Sequence, residues 1–329
     1  MKHDTWSDYW RLGELTTLNH FRQGYTGELA GFWNRLVDPL PSGGRVVDLA
    51  TGNGAVALAV LRRARTRGLA LEVEGVDVAQ IDPVAHAGKQ PRLRDELQTI
   101  RFHPSTPLEK TGLPTAHYDL VTSQYGIEYG DLAAAASEIA RLLRPGGCFG
   151  AILHSAESNV ARTALHIESL LTLLLGELDL PGHARRLVLQ LGDARDAAAL
   201  ARSRQSAIDA PLWSALEEAV ARAQRFAAPD HEMRMTTQGF LQRVLAPMGT
   251  ALPSSQHDKL ALIEQAQTKS RSLLQRMTAL RTCALDPAAL DRFLEQLAHA
   301  GLVPEPPQAI EFGAQREKMG YGVVARRAA

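Results

Sequence analysis

The stretch Arg45-Val46-Val47-Asp48-Leu49-Ala50-Thr51-Gly52-Asn53-Gly54-Ala55 decides how the rest of the chain is read. A β-branched run enters a short turn punctuated by glycines and leaves into Val56-Ala57-Leu58-Ala59-Val60-Leu61-Arg62-Arg63, whose composition suits a buried helix. The order is strand, tight loop, helix. Glycines let the backbone turn sharply and come close to a ligand, and the unbonded N–H groups at the helix start can meet polar or anionic ligand atoms.

A dinucleotide loop of the G-x-G-x-x-G type uses its last glycine for close packing of helix on strand. Here the three glycine positions hold Ala50, Gly52 and Ala55, Gly54 is extra, and Asp48 closes the strand. The pattern Asp48-x-Ala50-x-Gly52-x-Gly54 resembles motif I of the class I methyltransferases that use S-adenosyl-L-methionine (SAM). In that family the position of Ala50 more often holds Gly. The resemblance implies SAM as cofactor, S-adenosyl-L-homocysteine (SAH) as product, and cofactor contacts from Asp48, Ala50, Thr51, Gly52, Asn53 and Gly54.

A second strand, Leu71 to Val76, runs into Asp77. In nucleoside-binding Rossmann-like folds a carboxylate at this place, roughly 20 residues or a little more after the glycines, accepts hydrogen bonds from the ribose hydroxyls. Asp77 and its neighbour Val78 are therefore cofactor candidates. Residues 99–103 suit a third strand. In the family the residues just past it contact adenine, which points to Ser105 and Thr106. His117-Tyr118-Asp119-Leu120-Val121-Thr122-Ser123-Gln124-Tyr125 resembles the family's fourth strand. Ligands bind beyond the carboxyl ends of such strands, so Ser123, Gln124 and Tyr125 are expected to face cofactor and substrate, while Tyr118 and Asp119 are structural.

Asp131 is a good N-cap for an Ala-rich helix over 132–143, and Arg144-Pro145-Gly146-Gly147 breaks it and opens a fifth strand over 148–153. Leu-Arg-Pro-Gly-Gly at this point is a further resemblance to class I methyltransferases. Asp286-Pro287 starts a helix that Gly301 stops, and segments around 306–312 and 321–325 supply a closing antiparallel pair. That ending fits the methyltransferase sheet and not the dehydrogenase one. The expected fold is α/β: a Rossmann-like class I methyltransferase sheet, mostly parallel with a C-terminal antiparallel strand, plus an N-terminal helical lid and a large helical insertion.

Residues 1–44 form the N-terminal aromatic segment, 45–155 the SAM-binding core, 156–285 the insertion, and 286–329 the helix and strand pair that complete the core. Leu29, Phe32, Trp33 and Leu36 recur at helical spacing, predicting a helix over 26–37 laid against the sheet. Trp6, Tyr9, Trp10 and Tyr25 can pack, or can line the pocket, where an aromatic face attracts the sulfonium by cation–π contact. The insertion reads as helices over 160–175, 184–202, 212–226, 237–245 and 260–280. It is taken as a cap that shapes specificity, with homodimerisation or packing as the alternatives.

Composition narrows the partners. In 329 residues, 36 Lys and Arg balance 36 Asp and Glu, so nothing calls for a polyanion and a nucleic-acid partner is disfavoured. The two cysteines, Cys148 and Cys283, are far apart and suggest neither a disulfide framework nor a zinc site; no metal is expected. No stretch approaches the ~20 apolar residues of a spanning helix, and the start carries no apolar leader, which predicts a cytoplasmic protein without membrane contact. The excess of Arg over Lys points to a GC-rich bacterial genome.

The implied reaction is an in-line displacement that moves a methyl group to an O, N, S or C nucleophile. Alignment and water exclusion carry most of it, and a base is needed only if the acceptor arrives protonated. His154, His103, Tyr125 and Glu128 are the candidate bases, with His154 and Tyr125 preferred and Glu128 also a pocket candidate beside Trp6, Trp10 and Tyr25. No Asn-Pro-Pro-Tyr-type tetrapeptide follows the fourth strand, which disfavours methylation of amino groups of adenine, cytosine or glutamine. A small-molecule acceptor under the helical cap is favoured. A protein or RNA acceptor, a non-catalytic SAM-binding scaffold and an NAD-dependent oxidoreductase are the competing readings.

Overall fold

The computed structural model describes residues 4–18, 21, 24–88, 90–193, 197–248 and 255–329. Strand β1 (Arg45–Leu49) leads through the glycine loop into α3 (Ala55–Thr66), preceded in the chain by α1 (Asp4–Trp10) and α2 (Gly27–Val37). Then come β2 (Glu72–Val76), α4 (Pro83–His86), α5 (Pro91–Leu97), β3 (Arg101–His103), β4 (Tyr118–Gln124), α6 (Leu132–Leu142) and β5 (Leu143–Leu153). After a run of six α-helices among the described residues between Asn159 and Cys283, the chain returns through α13 (Pro287–His299), β6 (Leu302–Pro304), β7 (Gln308–Phe312) and β8 (Glu317–Arg327).

The eight strands make one sheet in the order β3-β2-β1-β4-β5-β8-β6, with β7 also on β8. The first five pair in parallel, and β8 runs antiparallel to β5, β6 and β7. The order reverses at β1, between β2 and β4, which is where open α/β sheets take ligands. Side-chain alternation sends Val46, Leu120 and Ile152 to the layer of α2 and α3, and Val47, Val121 and Leu153 to the layer of α6 and α13. Every residue of β4 is buried, as a central strand covered on both faces requires. A Cβ at Gly150 would run into Leu36, so the small residue on β5 is what lets α2 lie on the sheet.

Local signals set the helix ends. The Asp131 carboxylate accepts from the N–H groups of Ala133 and Ala134, and Asp286 accepts from that of Ala289, ahead of Pro287 at the first helical position. Residues 80–98 hold two short helices that each begin with proline, and β6 is a strand the sequence pattern does not announce.

The chain divides into two compact units, Met1–Arg162 with Ala279–Ala329, and Thr163–Thr278. The second is helical, spanning parts of α7 (Asn159–Thr172) and α12 (Gln256–Cys283) and all of α8 (Leu180–Leu191), α9 (Ala197–Gln205), α10 (Ala210–Ala227) and α11 (His231–Leu245). It has its own core around Leu170, Leu187, Trp213, Phe240, Val244 and Ile263. The helix expected over 184–202 is in fact two, because Gly192 leaves α8 in a positive-φ conformation. No described helix is long and apolar enough to cross a membrane.

Candidate functional site

The glycine loop turns by placing Ala50, Gly52 and Gly54 at φ of 55°, 55° and 85°. Glycine takes these values freely; an alanine there costs roughly 1–2 kcal/mol. Room for the Ala50 methyl is made from the other side, where a Cβ on Gly126 would run into it. Asp48, Thr51 and Thr122 brace the loop from beneath. The Asp48 carboxylate accepts from the hydroxyls of Thr51 at 2.7 Å and Thr122 at 2.8 Å. Burial pushes its carboxyl up to about 7 against the pull of those two hydroxyls.

Asp77, the first residue beyond β2, accepts from the Gly52 N–H at 2.7 Å and from the Ala79 N–H at 2.8 Å. Position 52 and the carboxylate of residue 77 thus lie on one edge of the sheet. Burial raises the Asp77 carboxyl above its ordinary value, and the two N–H groups oppose the shift. Val78 is half-buried beside it. Residues 105 and 106 reach the same edge: the Ser105 N–H donates to Ala79 O and the Thr106 N–H to Asp77 O. The Ser105 hydroxyl donates to Gln80 Oε1 at 2.9 Å.

The N-terminal segment is tied across these strand ends. The Asn53 amide donates to Trp10 O and Glu14 O, each at 2.9 Å, and the Gln80 N–H donates to Ser7 Oγ at 2.9 Å. Trp6, Tyr9 and Trp10 share one face of α1, as their spacing of three and four requires. The Trp10 indole lies so close over Gly52 that a Cβ at position 52 would run into it. Trp6 stacks on Trp10 and meets Tyr129 edge-on, with ring centroids 5.5 Å apart. Tyr25 packs on Phe21, with burial raising its phenol.

Beyond β4 a 3-10 turn, Ile127–Tyr129, carries Glu128 inward. One Glu128 oxygen accepts from the His154 N–H at 2.7 Å; the other, Oε2, is buried without a partner. Burial pushes the Glu128 carboxyl up to about 7. His154 is 2% exposed and stacks on Tyr125 at 4.3 Å, and burial pushes its imidazole down to about 3. The Tyr129 hydroxyl lies 3.4 Å from His154 Nε2.

A family model described as a methyltransferase domain matches residues 18–200, more than half of the chain. The chain belongs to the methyltransferase-domain family. Its class I SAM-dependent character is shown by the same match, which covers the glycine loop, Asp77 and the parallel strands. The dimethylglycine N-methyltransferase of Parasynechococcus marenigrum (strain WH8102) is 36% identical over 118 residues, 35% of this chain and 39% of that one, so this chain spans well under half of that relative. Among solved structures, the geranyl diphosphate C-methyltransferase of Streptomyces coelicolor A3(2) is 13% identical, covering 92% of this chain and 79% of its own, at a TM-score of 0.41. A SAM-dependent methyltransferase from Mesorhizobium loti is 25% identical over 38% of this chain and 53% of its own, at a TM-score of 0.30.

The residues of this site suit SAM. A carboxylate has about four lone-pair sites; two on Asp77 hold backbone N–H groups, leaving two for a pair of vicinal hydroxyls. Several candidates, however, are engaged elsewhere. The Ser123 hydroxyl, fully buried, donates to Leu49 O, and Gln124 Oε1 accepts from the Trp33 indole, while Gln124 Nε2 is buried without a partner. Asp48 braces the loop rather than facing outward. As bases, Tyr125 and His154 fare poorly: the Tyr125 hydroxyl donates to Met319 O, burial raises its phenol, and the buried imidazole of His154 resists protonation. His103 is paired with Glu74 at 2.6 Å. Tyr129 and Gly126 were not singled out from the sequence, although both flank Glu128 in Gly126-Ile127-Glu128-Tyr129.

Proposed function

We propose that this protein transfers the methyl group of SAM to a small-molecule acceptor by in-line displacement, with the adenosyl group held at Gly52 and Asp77. The observation that carries the reading is the 2.7 Å bond from the Gly52 N–H to Asp77 Oδ2, which joins the family's glycine loop to its strand-end carboxylate. When bound, SAM supplies a methyl carbon already activated by the sulfonium, so that the new bond to the acceptor forms as the S–C bond breaks and its electron pair stays on sulfur.

The protein's part is then to bind, orient and exclude water, a proximity effect worth several kcal/mol. Asp77 accepts the ribose hydroxyls, the loop from Ala50 to Gly54 presents its backbone to the cofactor, and Ser105 and Thr106 stand on the adenine side. Trp10, over Gly52, closes the loop from water. Zero net charge and the name of the dimethylglycine relative support a small acceptor over a nucleic acid. The helical unit 163–278 serves acceptor choice in this reading.

Calorimetry with SAH tests the site. The wild type should bind, and Asp77→Ala should lose tenfold or more, the value of a hydrogen bond to a charged group. Unchanged affinity in Asp77→Ala would refute the ribose assignment. Labelled SAM offered with separate metabolite, protein and RNA pools tests the acceptor: label in the metabolite pool alone is expected, label in protein or RNA would overturn the small-molecule reading, and SAH binding without any transfer would make the protein a scaffold.

A further inference from the structure

The cofactor reading leaves Glu128 and the aromatic face beside it without a task. Glu128 is 6% exposed and one of its oxygens has no partner, while the other is held by the His154 N–H. Burying a carboxylate is costly, and the cost is met by taking up a proton or by pairing with a cation. Among the described residues no ion pair reaches Glu128: its neighbours are the imidazole of His154, the phenols of Tyr125 and Tyr129, and the thiol of Cys283, and burial holds those of His154, Tyr125 and Cys283 in their neutral forms. Among the described residues no cation matches this carboxylate, so a ligand that brings one would be favoured here.

The wall next to this carboxylate is aromatic. Tyr129 follows Glu128 in the same turn, approaches His154 Nε2 with its hydroxyl, and makes a T-shaped contact with Trp6, which stacks in turn on Trp10. Trp6 and Tyr129 are half-buried rather than enclosed. Aromatic faces beside a buried carboxylate attract an alkylated ammonium far better than a neutral hydroxyl, because both terms depend on positive charge. Trp10 on the same helix packs over Gly52, which joins this wall to the cofactor loop.

We infer that Trp6, Tyr129 and Glu128 form a receptor for a cationic amine, and that the methyl acceptor is an amine nitrogen. The inference rests on the methyl-transfer reading above. An amine that arrives as an ammonium gives its proton to Glu128 Oε2: the N–H bond breaks, an O–H bond forms on the carboxyl, and the electron pair left on nitrogen is the nucleophile. The proton passes to water when the site opens. A carboxyl pushed up to about 7 is matched to taking a proton near neutral pH.

The test is calorimetric titration of the SAH-saturated full chain with dimethylaminoethanol, choline and 3,3-dimethylbutan-1-ol, the last being the neutral isostere of choline. Both amine-derived cations should bind at least tenfold more tightly than the isostere. Trp6→Ala and Glu128→Gln should each lose about tenfold for the cations and little for the isostere, and Trp6→Phe should keep most of the preference. Thermal unfolding of each variant shows that it is folded. Equal binding of cation and isostere, or no binding of either while SAH binds, would overturn the receptor. Failure of SAH itself to bind would overturn the methyl-transfer reading and the receptor with it.

Discussion

Glu128→Gln should make the protein more stable as the pH rises, although it removes a group assigned to the site. Gln keeps an oxygen to accept the His154 N–H and carries no charge, so the substitution isolates the cost of burying a carboxylate. Burial lifts the Glu128 carboxyl from its ordinary 4.5 to about 7. At about 1.4 kcal/mol per unit, that shift is worth roughly 3 kcal/mol. The folded state, having the higher pKa, holds the proton more tightly than the unfolded chain. The stability this gives is fully present below about pH 4.5 and is lost as the pH climbs through 7. The Gln variant does not titrate there. Asp48, also raised to about 7, is common to both proteins and cancels in the difference. The stability of the variant minus that of wild type should therefore grow between pH 4.5 and 8 by roughly 3 kcal/mol. For a unit of this size that is roughly 6–12 °C in Tm. Denaturant unfolding at half-unit steps of pH measures it. Parallel stability curves for the two proteins would show that the Glu128 carboxyl is not held in an environment that disfavours its charge, and would remove the physical basis for a cation at this position.

Three other perturbations test the frame around the site. Ala50→Gly should stabilise the protein by about 1 kcal/mol, the strain of a left-handed alanine, read as a higher Tm with SAH affinity retained. Gly126→Ala should destabilise it by more than 1 kcal/mol, since its Cβ runs into the Ala50 methyl, and the double variant Ala50→Gly with Gly126→Ala should recover part of that loss in the same unfolding assay. The Leu285 N–H donates to His154 O at 2.8 Å and the Ala156 N–H to Leu285 O at 2.9 Å, so the entry and exit of the helical insertion are already joined. Replacing residues 157–284 by a short Gly-Ser linker should therefore leave SAH binding measurable by calorimetry and abolish transfer of labelled methyl to the metabolite pool.

What the sequence disclosed is what depends on near neighbours. The glycine loop, the strand-end position of Asp77, the N-caps Asp131 and Asp286, and the antiparallel ending are all set by spacing along the chain or by a single residue's backbone preference. The structure shows each of them. The partners of Ser123 and Gln124 are not legible in this way because β4 is covered on both faces. Alternation there only chooses which buried layer a side chain enters, and the Ser123 hydroxyl and Gln124 Oε1 meet Leu49 O and Trp33 Nε1, partners 74 and 91 residues away in sequence. The edge contact of Trp6 with Tyr129 is likewise tertiary, and no periodicity in either segment encodes it.

Ala50 shows how a departure from a motif is absorbed. Judged at its own position, an alanine where the family more often has glycine signals a weakened loop. Its methyl nevertheless has space, because residue 126, from the turn after β4, is the glycine that residue 50 is not. Steric room is preserved while the backbone strain at φ 55° remains. The two effects separate by substitution: adding a Cβ at 126 attacks only the room, and removing one at 50 relieves only the strain. A motif position that touches another segment thus carries half of a shared constraint, and its residue can be weighed only together with the residue it faces.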